Sequence, residues 1–595
     1  MHHLIYAITI ASVAGVAGLI NILFSLRRHV LLAQATGLPY VVSPFHELQA
    51  WTYATDPVLR WLYHDRLLQG EGWPRWARFM IKDWHYEDKR RAHEEYGDIF
   101  LVVSPGGLVC YVGEATAALN VATRRKAFIK PPEKMKLLEL FGPNVVSSEG
   151  DLWRKHIRVT LPPFSEEGVQ NLVWSETIRQ TSSLAKSWLE RKGELRGATS
   201  THVKADIYSL TLNVMSLAGF GQQSEWKSAQ GVTLAPGHTL SLVESLLGVI
   251  QYLPQLLLLP LWLLRLLSPW QAAYISYVEF DRYMDTFIAR EKSKVKPNLE
   301  FTGQSKYTDM ARNNLLTAVL RSNNSGNMEV ASATYKNEVN LTDREIKGNV
   351  FVFFFAGYDT TANTILFSLS VLAIYPEIQN QVLKEVDQIW EQARAEGRSE
   401  LSYNSDFNKF RYLLAFMYEV MRVFPTVLPI GRVVASAQEI VATEQSGKKR
   451  ASHLLPPKTG VIVNNTAIHF SGAHWPSPHV IDPRRWLVEE PNGFNPTAPL
   501  SERDRESISS GSVSIPSHVR GTFMTFNEGP RACVGRNFAK AEYVAFFARL
   551  LHSNRLVLRS GIDAAWEERK IRCRSAGSPV SLMPDGDVPV QIVTR

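Results

Sequence analysis

The chain has 595 residues, 45% of them hydrophobic and 21% charged, a globular balance that excludes a disordered, collagen-like or polytopic membrane protein. Its 65 basic and 57 acidic side chains leave a formal charge of +8, too small an excess at this length to imply nucleic acid as a partner. Three widely spaced cysteines, Cys110, Cys533 and Cys573, exclude a disulfide framework and paired C-x-x-C zinc ligands, and fit a reducing compartment.

Residues 4–26 carry no charge over 23 positions, long enough for a helix to span a hydrocarbon core. Arg27, Arg28 and His29 follow at once, and this basic flank belongs on the cytoplasmic side, which leaves the rest of the chain in the cytosol. A cleaved signal peptide is the weaker reading, because the apolar run is too long for one and Met1-His2-His3 lacks firm positive charge. The expected organisation is a membrane anchor over residues 1–30 and one large domain over 31–595. Gly37-Leu38-Pro39 and Ser43-Pro44 read as a stiff turn leading away from the membrane.

Residues 98–113 predict two strands around a Pro-Gly-Gly turn. Helical patterns then dominate at 165–190, 204–220, 273–295, 342–372, 376–397 and 407–423, with a strand at 459–464. No internal repeat or central linker breaks the sequence. Residues 491–520 are rich in Ser, Pro, Asn and charge and read as an exposed insertion. The Leu-rich stretch 242–269 is interrupted by Pro254, Pro260 and Pro269 and charged at Glu244 and Arg265, so it is a poor spanning helix. It reads equally as a buried helix pair or as a surface that meets the membrane or admits a greasy substrate.

The most informative stretch runs from Phe526 to Arg536 and leads into a helical pattern at 537–551. A cysteine just before a helix meets backbone N–H groups and the positive dipole end, which favour thiolate, and thiolate is the form that ligates iron. Gly529 can take a positive φ in a tight turn, and Gly535 removes a side chain where a flat cofactor approaches. Arg531 can pair with a carboxylate of that cofactor. Cys110 and Cys573 have no such surroundings and read as inert. A second stretch, Phe351-Val-Phe-Phe-Phe-Ala-Gly-Tyr-Asp-Thr-Thr-Ala362, reads as a buried helix in which Ala356-Gly357 removes bulk and an acid, Asp359, precedes a hydroxyl, Thr360. Small residues leave room for dioxygen, a hydroxyl backed by a carboxylate can relay protons, and a Gly beside a Thr invites a bulge in the helix ladder.

The complete pattern F-x-x-G-x-R-x-C-x-G at Phe526, Gly529, Arg531, Cys533 and Gly535 resembles the haem-binding signature of the cytochrome P-450 superfamily of haem-thiolate monooxygenases, and 351–362 resembles its oxygen-activating helix. Glu419 and Arg422 match its E-x-x-R pair, and Pro483-Arg484-Arg485-Trp486 its P-x-R-W element, with Arg485 expected to close a buried network. The likeness covers residues 36–595 and is greatest to fungal microsomal members. It implies a mainly α fold with a small β region, and one haem b on the Cys533 thiolate. Arg432 and Trp153 are then expected at the haem propionates, beside Arg531. The family's W-x-x-x-R element is broken here: Ile157 stands where the arginine is expected, between His156 and Arg158, and His156 is the weak candidate to replace it.

The same resemblance implies a reaction in which a C–H bond takes one atom of dioxygen, with Asp359 and Thr360 catalytic. The 62 residues after Cys533 are too few for a fused flavin reductase, so NADPH-derived electrons are expected from NADPH–cytochrome reductase, with cytochrome b5 as a further donor, on the endoplasmic reticulum membrane. Arg531, Arg536 and Lys540, with Arg154, Lys155 and Arg158, are the candidate docking face for an acidic partner. The apolar runs point to a lipophilic substrate, and the fungal likeness to secondary metabolism of a terpenoid or polyketide. A fatty-acid, sterol or xenobiotic hydroxylase is the alternative. A haem-thiolate isomerase or dehydratase, and a lipid-binding protein with a vestigial haem loop, are the rivals from other classes.

Overall fold

A computed structural model describes residues 2–194, 202–226, 237–294, 314–329, 340–443, 450–487, 520–577 and 581–595. The expected insertion at 491–520 lies outside them up to residue 519.

The first helix, His2–Thr36, runs past the expected end of the apolar segment. Its middle turns point Val16, Leu19 and Phe24 outward. Its last third docks: Ser25 donates to the Pro105 carbonyl at 2.6 Å, and His29 Nδ1 lies 2.9 Å from the Ser104 carbonyl. Ala33 joins the core of the β region, with Leu26 and Val30 packed against it. Among the described residues two helical segments, Ser12–Thr36 and Asp343–Ile374, are long and apolar enough to cross a membrane, but 83% of the apolar stretch of the second is buried in protein and only 6% of that of the first.

The β region follows. The strands are β1 (Tyr40–Val42), β2 (Ile99–Ser104), β3 (Gly107–Val112), β4 (Phe128–Ile129), β5 (Pro429–Val434), β6 (Gln438–Thr443), β7 (Arg450–Leu455) and β8 (Gly460–Asn464). Six of them form one sheet in the order β1-β2-β3-β8-β5-β4. The predicted hairpin is β2–β3, in register from Ile99 against Val112 to Ser104 against Gly107. Its strands are apolar without a break because both faces are covered. Leu101, Val103, Cys110 and Val112 face one apolar cluster, while Phe100, Val102, Val109 and Tyr111 face another built on Phe79 and Trp84. The sheet joins early and late parts of the chain, since β8 runs parallel to β3. Three two-stranded pieces complete the β structure: β6–β7, β9 (Asn554–Leu558) with β12 (Val590–Thr594), and β10 (Ser575–Gly577) with β11 (Leu582–Pro584).

The helical body is built around Asp343–Ile374. Its start is fixed by a capping box in which Thr342 and Glu345 satisfy each other's backbone N–H groups. Buried side chains lie on all its faces, as a helix without an apolar stripe requires. The other predicted helices appear at Glu167–Glu194, Val203–Val214, Gln271–Lys294, Pro376–Ala395, Arg411–Val423 and Arg536–Ser553. The start of Arg411–Val423 is capped from a neighbouring helix: Glu385 accepts the backbone N–H groups of Arg411, Tyr412 and Leu413 at 2.7–2.9 Å. The Leu-rich stretch divides its two expected roles. Leu242–Gln251 buries Leu246 and Val249, whereas Leu253–Leu258 and Leu261–Leu266 leave Leu258, Trp262 and Leu266 exposed.

The scaffold pairs form as expected. The Glu419 carboxylate receives Arg422 Nε and Nη2 at 2.9 and 2.8 Å, Arg485 Nε at 3.0 Å, the Trp486 indole at 2.9 Å and the Asp482 backbone N–H at 2.9 Å. The remaining arginine donors reach the carbonyls of His469, Pro476, Pro478 and Val480. Burial pushes the Glu419 carboxyl up, and the Arg422 and Arg485 charges with these donors more than reverse it, leaving its pKa below the ordinary value.

Candidate active site

Cys533 sits at the end of a short hairpin. Its N–H donates to the Phe526 carbonyl at 2.8 Å, and Ala532 N–H closes on Gly529 at 3.1 Å. Asn527 and Gly529 turn the hairpin with φ of +56° and +71°. At Gly529 a Cβ would also meet the Thr123 methyl at 3.1 Å, so glycine is needed there on two counts. Three residues on, Arg536–Ser553 begins, and the N–H groups of Gly535 and Arg536 point at the sulfur. The sulfur is open to the cavity although protein surrounds it. Burial raises the thiol pKa, and those two N–H groups with the Arg536 charge act against that rise. A metal cation facing the sulfur reverses the balance and takes the thiolate.

The cavity has a volume of about 270 Å³. Phe526, Arg531, Cys533 and Gly535 form one side, and Val352, Phe353, Ala356, Gly357 and Thr360 of the long helix another, with Trp153, Ile157 and Phe164 between them. The sequence motifs therefore meet in one place. The Thr360 hydroxyl donates to the Ala356 carbonyl at 2.9 Å, one turn back. The expected bulge beside Gly357 is absent, since the helix is continuous from Asp343 to Ile374. A π turn lies instead at Met215–Gly219, and Met215 fills the notch that Gly357 leaves: a Cβ there would lie 2.3 Å from the Met215 methyl.

Asp359 points away from the cavity lining and is buried. Its carboxylate receives the Tyr208 hydroxyl at 3.2 Å, Ser581 at 2.7 Å and the Asn363 amide at 3.4 Å. Tyr208 and Ser581 were not among the residues expected from sequence. They come from a distant helix and from the C-terminal β hairpin, and no local pattern marks them.

Positive charge gathers at one edge. Arg531 lies 4.3 Å above the Trp153 ring and Arg125 4.4 Å from it. Arg531 donates to Glu149 at 2.6 Å and to the Ser148 carbonyl at 2.9 Å. Arg432 is buried with Nη1 on the Gly431 carbonyl and Nη2 without a partner among the described residues, and burial with Arg531 nearby brings its pKa down to about 10. Lys130, also missed from sequence, lines the same cavity.

Two expectations are corrected. His156 does not replace the missing arginine: it faces the long helix, with Nδ1 2.8 Å from the Asn349 amide and Nε2 3.8 Å from Glu345. Burial takes it down to about 4, so it is neutral. Ile157 reaches the cavity as an apolar wall. The expected basic face is also smaller. Arg531 turns inward, Lys155 pairs with Glu345 at 3.0 Å and Lys540 is half-buried over the Tyr418 ring, which leaves Arg154, Arg158 and Arg536 exposed.

These residues fit a haem. The sulfur offers a ligand to iron, Gly535 keeps its neighbourhood open, the walls are apolar, and Arg531 on the wall, with the buried Arg432 close enough to feel its charge, would offer donors to carboxylates.

The cytochrome P-450 family model matches residues 75–564. The chain is 36% identical over 582 residues to cytochrome P-450 monooxygenase ORF6 of Penicillium roqueforti, covering 97% of this chain and 96% of the relative. It is equally similar, at 36% with the same coverage, to cytochrome P-450 monooxygenase prx9 of Penicillium rubens. The phomenoic acid biosynthesis cluster cytochrome P-450 monooxygenase of Leptosphaeria maculans is 23% identical over 75% of this chain and 73% of its own.

Proposed function

The chain belongs to the cytochrome P-450 family, and from that premise we propose that Cys533 is the thiolate ligand and that Thr360 and Asp359 manage protons. Membership carries the class of activity: an oxidoreductase that incorporates oxygen from dioxygen, with haem on a cysteine thiolate and electrons from a reductase. Bound in the cavity, the haem supplies dioxygen binding and reductive cleavage of the O–O bond; the protein supplies ligand, protons and position.

The observation that carries this reading is that Cys533 and Thr360 line one apolar cavity. The Gly535 and Arg536 N–H groups point at the sulfur and oppose the rise in its pKa that burial causes. The Thr360 hydroxyl is the proton donor on the opposite wall, with Ala356 and Gly357 beside it on that wall. Asp359 is one residue behind. Held as a carboxylate by Tyr208 and Ser581, it leaves those partners in a side-chain rotation, takes a proton from water and passes that proton to Thr360. Val352, Phe353, Ile157 and Phe164 keep bulk water out. Phe526, Gly529, Arg531, Gly535, Trp153 and Arg432 complete the haem site.

The substrate in this reading is a lipophilic small molecule. The apolar lining and the greasy Leu258, Trp262 and Leu266 surface support it. A role in fungal secondary metabolism, on a terpenoid or polyketide, draws on the biosynthetic-cluster name of the Leptosphaeria relative. Residues 1–30 anchor the domain of 31–595 to the endoplasmic reticulum with that domain in the cytosol. Arg154, Arg158 and Arg536 receive NADPH–cytochrome reductase, and cytochrome b5 uses the same face.

Reconstitution with a reductase and a panel of lipophilic candidates tests this. Oxidised product that requires both NADPH and dioxygen is expected. Product formed without either one marks a rearranging isomerase or dehydratase and overturns the reading.

A further inference from the structure

We propose that Lys130 binds a haem carboxylate directly, in place of the arginine that the sequence lacks at Ile157. The inference rests on the haem-thiolate reading above and adds a residue to it.

The backbone brings Lys130 to the cavity edge. Strand β4 pairs antiparallel with β5, Phe128 against Val434 and Ile129 against Val433. Continuing that register by one residue sets Lys130 across from Arg432, and directly opposed residues share a face of the sheet. The position is pinned, since the Lys130 N–H donates to Glu149 Oε1 at 3.3 Å. Lys130 lines the cavity, and among the described residues its ammonium has one partner, the Val146 carbonyl at 2.6 Å. An ammonium has three donors, so two remain.

The charges at this edge do not balance. Lys130, Arg432 and Arg531 lie close enough to repel one another, and among the described residues Glu149 is the acid that opposes all three. Three cations against one carboxylate leave two positive charges beside an apolar space. Arg125, across Trp153, adds to the excess. A ligand that ends in two carboxylates at that edge neutralises it. Without such a ligand, burial and the two arginines bring Lys130 down to about 7, which is the strain expected of a cation waiting for an anion. No other side chain replaces the missing arginine from the Trp153 helix: Ile157 is apolar and His156 faces the other way.

The test compares purified holoenzymes of the wild type, Lys130→Gln, Lys130→Arg and Lys130→Gln with Ile157→Arg. Glutamine keeps a donor for the Val146 carbonyl and removes only the charge. The readouts are the rate of haem loss to excess apomyoglobin and the carbon-monoxide difference spectrum. Lys130→Gln should lose haem roughly tenfold to a hundredfold faster, the range expected for one charge-assisted hydrogen bond. Lys130→Arg should stay within about threefold of wild type, and Ile157→Arg should recover most of the loss. All loaded forms should keep the red-shifted band of thiolate ligation. Haem loss from Lys130→Gln at the wild-type rate overturns the proposal, as does loss that Ile157→Arg fails to slow. A wild-type protein without that band would sink the haem-thiolate reading itself, and the proposal with it.

Discussion

Replacing Glu419 by glutamine is the sharpest test of the scaffold. The substitution keeps shape and removes one charge. It leaves Arg422, fully buried, and Arg485, with 3% of its side chain exposed, facing an amide in place of a carboxylate. Five donors converge on that carboxylate, and an amide can accept at only one of its two heavy atoms. Breaking a buried pair by removing one partner costs roughly 3–5 kcal/mol. Unfolding entropy near 2.1 cal/mol/K per residue, over 595 residues, is about 1.2 kcal/mol/K, so the midpoint should fall by about 2–4 °C. The control is Asp151→Asn, whose partner Arg154 is 52% exposed; pairs of that kind contribute about 1 kcal/mol or less. Thermal unfolding at a fixed scan rate, followed by tryptophan fluorescence, measures both. Equal midpoints for Glu419→Gln and wild type, or equal shifts for the two variants, would refute the buried-network reasoning.

Three further outcomes follow from the geometry. The Glu419 network stabilises fully above the ordinary glutamate pKa and is lost as pH falls through the lowered folded-state value, so the midpoints of wild type and Glu419→Gln should converge below about pH 4; a constant gap would contradict this. Gly348→Ala should cost about 1–3 kcal/mol or more, because its Cβ would lie 2.3–2.4 Å from the backbone carbonyls of Gly142 and Pro143. Gly357→Ala meets only the movable Met215 methyl and should fold with near-normal stability but a narrower cavity, and equal yields and midpoints for the two would show the distinction to be empty. Thr360→Ala should keep the thiolate band while oxidised product per NADPH falls about a hundredfold, the low end of what a lost proton donor costs; unchanged coupling would remove Thr360 from the proton path.

Much of this was legible in sequence wherever chemistry is written in consecutive residues. The cysteine loop works through turn glycines, an arginine and a helix start within eleven positions, so its pattern alone located one cavity wall. The β2–β3 hairpin was legible because its Pro-Gly-Gly turn and unbroken apolar strands are local signals. The Glu419 network needed two separated motifs, each weak by itself. Where partners come from distant segments the sequence was silent. Tyr208 and Ser581 reach Asp359 from 151 residues before it and 222 residues after it, and Lys130 arrives through a two-residue strand. The neighbours of Ile157 misled for a helical reason: consecutive residues point about 100° apart, so His156 turns to Asn349 while Trp153 and Ile157 share the cavity face.

The most direct measurement is the dithionite-reduced carbon-monoxide difference spectrum of membranes expressing the wild type and Cys533→Ala. A strongly red-shifted Soret band in the wild type, absent from Cys533→Ala, is the expected result. A wild-type band at the position of a neutral proximal ligand, or the same red-shifted band in both proteins, would contradict the assignment of Cys533 as the thiolate.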